Sequence, residues 1–276
     1  MKKHVFLTGI FSILILSVFA QEKIKGNRNV TIVETKIDPF NKLVISQDFE
    51  VVLVKGFDAS VEIEADENLH NVINFNVSNG VLALSSDYKI TSKKKLNITI
   101  KYTEDLSFIQ LKNDAEISAI SAFNSPEITL ELHDNSNTEL NIESKKLNII
   151  AQAKSKLKLN IQSDSVHLEL NESSKMEALI NGQYLKADLY QSAKADIEGT
   201  CAELHLNTMN FTDFIGKNFT CKNSKILAED SSDVTTHTEE HLILEATGDS
   251  EIELYGLPKI TIDKFSGTTE LKKKEL

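Results

Sequence analysis

The 276-residue chain reads as an all-β protein: a right-handed, single-stranded parallel β-helix capped by a less regular N-terminal β region. Three observations predict this. First, polar knots of Ser, Asn, Asp and Lys recur between Leu111 and Leu271. Taking Ala115, Ser136, Ser155, Ser174, Ala193, Asn210, Ser232, Ser250 and Thr268 as equivalent gives spacings of 21, 19, 19, 19, 17, 22, 18 and 18. A steady period of about nineteen marks a solenoid. Second, apolar residues alternate between the knots, as in Ile128, Leu130, Leu132 and in Leu157, Leu159, Ile161. Period two means strands with one buried face. Third, one such coil cannot bury its own apolar face, whereas a stack can. Two short strands and two turns fill each coil. At about 4.8 Å per coil, nine coils make a rod on the order of 40 Å long.

The elements follow in chain order. Lys2, Lys3 and His4 precede the apolar run Val5 to Phe19, and Val18 and Ala20 suit cleavage before Gln21. Residues 1–20 are therefore expected to be a secretory signal. The run is short for a membrane span of about 20 residues. No Cys near the cut suggests a lipid anchor, and no later stretch is apolar enough to cross a membrane. Residues 21–37 read as a short lead-in or first strand. The domain is expected over 38–271, irregular over 38–110 and regular over 111–271. In the irregular part, Val51-Val52-Leu53-Val54 reads as a strand buried on both faces. Asp66 to about Ile73 reads as a short helix, since acidic residues suit a helix start. Asn79-Gly80 reads as a hairpin turn, and Tyr88 to Lys95 as a charged loop. This part is expected to cap the stack, because an open sheet end invites aggregation. Ile260 and Ile262 form a last strand, and 272–276 is a charged tail expected to fray.

Glycine is scarce, at 10 residues. Asn, Asp and Ser can make the stacked corners instead, because their side chains bond nearby backbone and Asn and Asp tolerate left-handed conformations. The knots also form a candidate contact ladder: Asn135, Ser136, Ser155, Ser174, Ser192, Asn210, Ser232, Ser250 and Thr268.

Charge narrows the partners. The formal net charge is -11, and Arg28 is the sole arginine. So acidic a chain repels phosphate backbones, which argues against nucleic acid. It also lacks, in the repeats, the guanidinium fork that suits carboxylates and phosphates.

The segments Phe49-Glu50-Val51-Val52-Leu53-Val54-Lys55-Gly56, Val61 to Leu69 and Val77-Ser78-Asn79-Gly80-Val81-Leu82 resemble the start of the bacterial head GIN domain family. Thr247-Gly248-Asp249-Ser250 and Phe265-Ser266-Gly267-Thr268 echo its repeat knots, and Tyr255-Gly256-Leu257-Pro258-Lys259 matches its closing motif. The resemblance covers about Asp38 to Leu271. It implies an exported β-helix without recognised catalytic residues, with cell adhesion as the suggested role. In the middle knots this chain replaces the family's Gly by Asn, Lys or Glu.

The remaining candidates are few. His237-Thr238-Glu239-Glu240-His241 matches a zinc-protease pattern. That chemistry needs a helix, and the flanking residues predict strand, which separates the two imidazoles by about 13 Å. Cys201 and Cys221 lie twenty residues apart, about one coil, but not in perfect register with the knots. They are either a disulfide or two buried thiols. Asp230 with Asp233, and Asp249 with Glu251, could converge across coils, as a polysaccharide lyase or hydrolase needs. The expected function is an exported, non-enzymatic envelope protein, adhesive or ligand-binding, without cofactor or metal. The partner is left open, a glycan and an envelope or surface protein both being allowed, and a β-helix polysaccharide-active enzyme and a purely structural role are the alternatives.

Overall fold

In the computed structural model, residues 22–275 are described; the expected signal segment, Gln21 and Leu276 lie outside them. The N-terminal part contains β1 (Glu22–Lys25), β2 (Val30–Lys36), β3 (Lys42–Ile45), β4 (Glu50–Lys55), β5 (Ser60–Asp66), a short 3-10 helix (Glu67–Val72), β6 (Asn74–Ser78), β7 (Val81–Ser85), β8 (Tyr88–Ser92) and β9 (Leu96–Tyr102). The stack follows as β10 (Phe108–Leu111), β11 (Glu116–Ala119), β12 (Phe123–Asn124), β13 (Glu127–Leu132), β14 (Asn137–Ala151), β15 (Lys156–Leu170), β16 (Lys175–Tyr190), β17 (Lys194–Met209), β18 (Asp213–Glu229), β19 (Asp233–Ala246), β20 (Glu251–Tyr255), β21 (Lys259–Phe265) and β22 (Glu270–Lys273).

The stack is a parallel β-solenoid with a period of about nineteen residues, as the knots predict. Each of β14 to β16 pairs in parallel, residue for residue, with the next coil, and β17 and β18 do so with local register shifts. The expected pair of short strands per coil is corrected: from β14 to β19 a coil is one continuous strand of 14 to 17 residues, bent once. The bend lies at Ser144, Ser163 and Gly182, which stack in register. Ser144 and Ser163 join their hydroxyls there at 3.0 Å. A Cβ on Gly182 would stand 2.2 Å from the Ser163 carbonyl oxygen, so the close approach of backbones requires glycine at this corner. Inside, alternate residues stack into apolar rows, such as Leu147, Val166, Leu185 and Leu204. Full burial of each contributes about 1.5–3 kcal/mol. All rows merge into one continuous core.

Each coil closes through a tight turn whose second residue has positive φ: Asn113, Asp134, Ala153, Glu172, Gln191, Asn210, Asp230, Gly248 and Gly267. The fourth turn residue bonds the carbonyl of the first, as Ser155 does to Gln152 and Ser174 to Asn171. That fourth residue is small and points inward. The structure places Thr212 and Thr269 there, so the sequence alignment of Asn210 and Thr268 with the serines is corrected by two residues and one residue. With that correction the spacings become 21, 19, 19, 19, 19, 20, 18 and 19. Gly is dispensable at most turns because one left-handed residue per turn suffices, although the turn through Asn210 and Phe211 holds two.

The N-terminal end is sealed by reordered chain. β3 and β4 form a coil sandwiched between β10/β11 on one side and β7/β9 on the other. β5 then runs antiparallel to β9 and β2 antiparallel to β5, while β6 runs antiparallel to β7. Asn79 and Gly80 both have positive φ in the β6–β7 hairpin, as Asn-Gly predicts. Four expectations are corrected. Val52 and Val54 are half-buried, because β4 belongs to a one-sided coil wall. Residues 22–36 hold two strands, and Tyr88–Ser92 is a strand parallel to β1. The tail is docked as far as Lys274: Lys272 lies within β22 and pairs with Glu251 at 2.6 Å, and Lys274 pairs with Glu253 at 2.8 Å.

Asp66 holds the β1–β8 ribbon to the cap. Fully buried, it accepts backbone N–H bonds from Arg28 at 3.1 Å, Lys94 at 3.1 Å and Lys95 at 3.3 Å. Burial pushes its carboxyl up, but these three donors outweigh burial and hold it below the ordinary aspartate value.

Candidate functional site: the outer face of the first coil wall

The knots divide into two sets. Ser136, Ser155, Ser174, Ser232 and Ser250 are at most 1 % exposed and face the core. Ser136, Ser232 and Ser250 donate to the turn carbonyls of His133, Glu229 and Thr247 at 2.7, 2.7 and 2.9 Å. These serines fasten turns, so the expected contact ladder is corrected for them: a side chain at the inward fourth position cannot meet an outside ligand. Asn135, Ser192, Asn210 and Thr268 are exposed along the turn edge. Asn135 Nδ2 donates to Asp114 at 2.9 Å, one coil away.

The residue after each inward turn residue begins the first wall of its coil, and its side chain points outward. Register runs Glu50, Glu116, Asn137, Lys156, Lys175, Lys194, Asp213, Asp233, Glu251, Glu270, one residue per coil. Carboxylates therefore occupy both ends of the row and lysines the middle. A second outward row runs parallel to it, through Ser118, Glu139, Lys158, Glu177 and Asp196. Between these rows lies a groove of about 550 Å³ that spans Glu50 to Glu177. Within it Asn137 donates to Glu116 at 2.8 Å and Lys158 meets Glu139 at 3.4 Å. Among the described residues, Lys156 and Lys175 have no ion-pair partner, although they are stacked neighbours. One end of the groove thus carries two unpaired ammonium groups, while its lining as a whole holds Glu50, Glu116, Glu139 and Glu177 against Lys156, Lys158 and Lys175. Sequence reading missed this row. The signal was present, one residue beyond each knot, but it needs the corrected turn register to become visible.

Beyond the lysines the row turns acidic. Lys194 meets Asp213 at 3.3 Å, and Lys272 bridges Glu251 and Glu270 at 2.6 and 2.7 Å. Asp233 stands between these pairs. Burial raises its carboxyl pKa, the Asp213 and Glu251 charges raise it further, and Lys194 opposes them. Asp196 is raised by burial and then by Glu198, Glu177 and Asp213.

The second coil wall carries a ring row. Tyr184 lies edge-on between His167 and His205, with centroids 6.1 and 5.2 Å away. Its hydroxyl bonds His205 Nδ1 at 3.1 Å, and His205 Nε2 bonds Glu203 at 2.8 Å.

The zinc-like string lies in β19. His237 Nδ1 meets the Thr220 hydroxyl at 3.3 Å, and His241 Nδ1 meets Asn223 at 3.0 Å, one coil below each. No group of three or more metal-binding side chains converges among the described residues. Asp230 occupies a turn while Asp233 begins a wall; Asp249 likewise lies in a turn and Glu251 in a wall. Cys201 and Cys221 are register partners in β17 and β18, with Cα atoms 4.8 Å apart, and are joined as a disulfide. Their perceived offset is corrected: with Thr212 rather than Asn210 at the inward turn position, both cysteines lie eleven residues before it, counting to Thr212 and Ser232.

The family model described as "Putative auto-transporter adhesin, head GIN domain" matches residues 39–178 and 152–258. The chain belongs to this family. Its fold recurs in a crystal structure described as a putative adhesin from Parabacteroides distasonis, at 15% identity and TM-score 0.69, covering 92% of this chain and 100% of that one. A crystal structure described as a putative lipid binding protein from the same organism matches at 14% identity and TM-score 0.66 over the same shares. A putative adhesin from Parabacteroides merdae matches at 16% identity and TM-score 0.64, over 92% and 99%. At such identities the structural likeness is one of fold. No curated protein matches the chain. No helix among the described residues is long and apolar enough to cross a membrane.

Proposed function

We propose that this head GIN protein is exported to the cell envelope and binds, without turnover, an extended glycan bearing acidic groups. The observation that carries this reading is the first-wall groove, with Lys156 and Lys175 unpaired at one end. A groove crossing successive coils repeats its donors at about 4.8 Å intervals, which suits a chain-like ligand. Asn137, Ser118 and Glu139 offer amide, hydroxyl and carboxylate groups to hydroxyls, and the two ammonium groups attract carboxylate or sulfate. The exposed turn residues Asn135, Ser192, Asn210 and Thr268 extend this contact strip along the coil edge. The family's adhesin description agrees with a binding role.

The test is an array of acidic and neutral glycans probed with the purified protein, followed by an assay of every bound glycan for cleavage. Selective retention of acidic glycans, weakened at least tenfold by Lys156→Glu with Lys175→Glu and unchanged by His167→Ala on the other wall, is expected. Cleavage of a bound glycan would show an enzyme. Binding of lipid vesicles or of proteins alone, or binding indifferent to the lysine pair, would refute the glycan reading.

A further inference from the structure

The two ends of the solenoid differ. The N-terminal end is folded over by antiparallel strands, whereas among the described residues no strand covers the C-terminal end. β21 pairs with β19 on one side, and among the described residues no strand lies along its other side. Ile260 and Ile262 continue the core rows of Leu242 and Leu244, yet they are 42 % and 49 % exposed. Phe265, opposite Ala246, is 44 % exposed, and Leu257 is 87 % exposed in the preceding turn. An apolar edge strand of this kind is a template for another strand.

We propose that the C-terminal edge binds a second copy of this chain, with β21 antiparallel to β21 about a twofold axis through Thr261. The occupant follows from the strand's own order of residues. In this register Thr261 faces itself, Ile260 faces Ile262 and Lys259 faces Asp263, each of the last two pairs occurring twice. Counting outward, Leu257 reaches Phe265. Opposite charges and apolar pairs directly across an antiparallel ladder are favourable. Neighbouring registers lose this match: centring on Ile262 sets Ile260 against Lys264, and centring between Thr261 and Ile262 sets Lys259 against Lys264. The single irregularity of β21 falls at Asp263, which has no register partner in β19. An isologous pair closes on itself and covers both bare ends at once, so it stops at two copies.

Sedimentation equilibrium of the purified protein measures the assembly, and circular dichroism confirms that each variant stays folded. A reversible dimer is expected. Lys259→Glu and Asp263→Lys should each weaken it at least tenfold, and the double exchange should restore it, because each protomer's residue 259 faces residue 263 of the other. Oxidation of Thr261→Cys should link two chains, since directly opposed strand residues lie about 4.5–5.5 Å apart, within disulfide range. Lys259→Cys alone should not. A monomer at every concentration overturns the proposal. So does a dimer indifferent to both charge changes, or one lost through Ile32→Lys, which alters the exposed β2 edge at the other end.

Discussion

Reducing the Cys201–Cys221 bridge should destabilise the protein by about 3 kcal/mol. The two residues are 20 apart in sequence. In the chain-entropy description, opening a loop of that size frees the unfolded chain by roughly 11 cal/mol/K, or about 3.3 kcal/mol at 25 °C. The folded state loses little by comparison, because the flanking residues Thr200 and Thr220 remain ladder partners and both cysteines are buried. Urea unfolding of oxidised and reduced protein compares the same atoms with and without the bond. With a slope near 3 kcal/mol/M, the midpoint should fall by about 1 M. The Cys201→Ala with Cys221→Ala variant should match the reduced protein within about 1 kcal/mol and be indifferent to reductant. Two thiols titrating in unreduced, unfolded protein would refute the bridge. A midpoint shift below about 0.3 M would refute the entropic magnitude.

Other expectations rest on the same coils. Glu172→Gly and Gln191→Gly should each stabilise by about 0.5–1 kcal/mol, because a non-glycine left-handed residue costs about 1–2 kcal/mol and glycine's added freedom when unfolded takes back about 0.4–1; urea midpoints check this. Ser136→Ala should cost about 1 kcal/mol through its lost turn bond. Ser155→Ala and Ser174→Ala should be neutral or stabilising, since these buried hydroxyls have no partner; equal losses at all three would disprove that difference. Asp233→Asn should stabilise by a few tenths of a kcal/mol at pH 7, the scale of a like-charge cross-strand contact. Its raised carboxyl is a cost above its folded pKa, relieved as pH falls through that value, so the gain should vanish near pH 3. Asp66 has the opposite sign: its lowered carboxyl contributes stability above the ordinary aspartate pKa, lost as pH falls through the folded value. Hydrogen exchange should show the β1–β8 ribbon opening first on acidification, and already at neutral pH in Asp66→Asn.

The solenoid was legible because its cause is local and repeated. Alternation such as Leu157, Leu159, Ile161 sets one strand face inward, and a steady period stacks such faces whatever the loops do. The Asn79-Gly80 hairpin was legible for a similar reason: two left-handed residues in succession suit few other pairs. The direction of the knot side chains was not legible. Ser155 and Lys156 are adjacent and both polar; Ser155 shares the phase of Leu157 and Leu159 and enters the core while Lys156 faces solvent, but that phase holds through the knot only because the turn closes between Ser155 and Gln152. The lysine-centred row depends on that decision, since a slip of one residue exchanges the faces.

The sequence by itself determined the fold, the coil length and the family, because each follows from a pattern summed over many coils. The tertiary structure alone decided the cap order, in which β3–β4 lies between coils that come later in the chain. It also decided the docking of Asp66 under the ribbon, the meeting of the cysteines and the charge order along the groove. Those depend on which residues become neighbours across coils, and single irregularities of one residue, as between Asp196 and Gly199, shift that register without leaving a mark in composition or period.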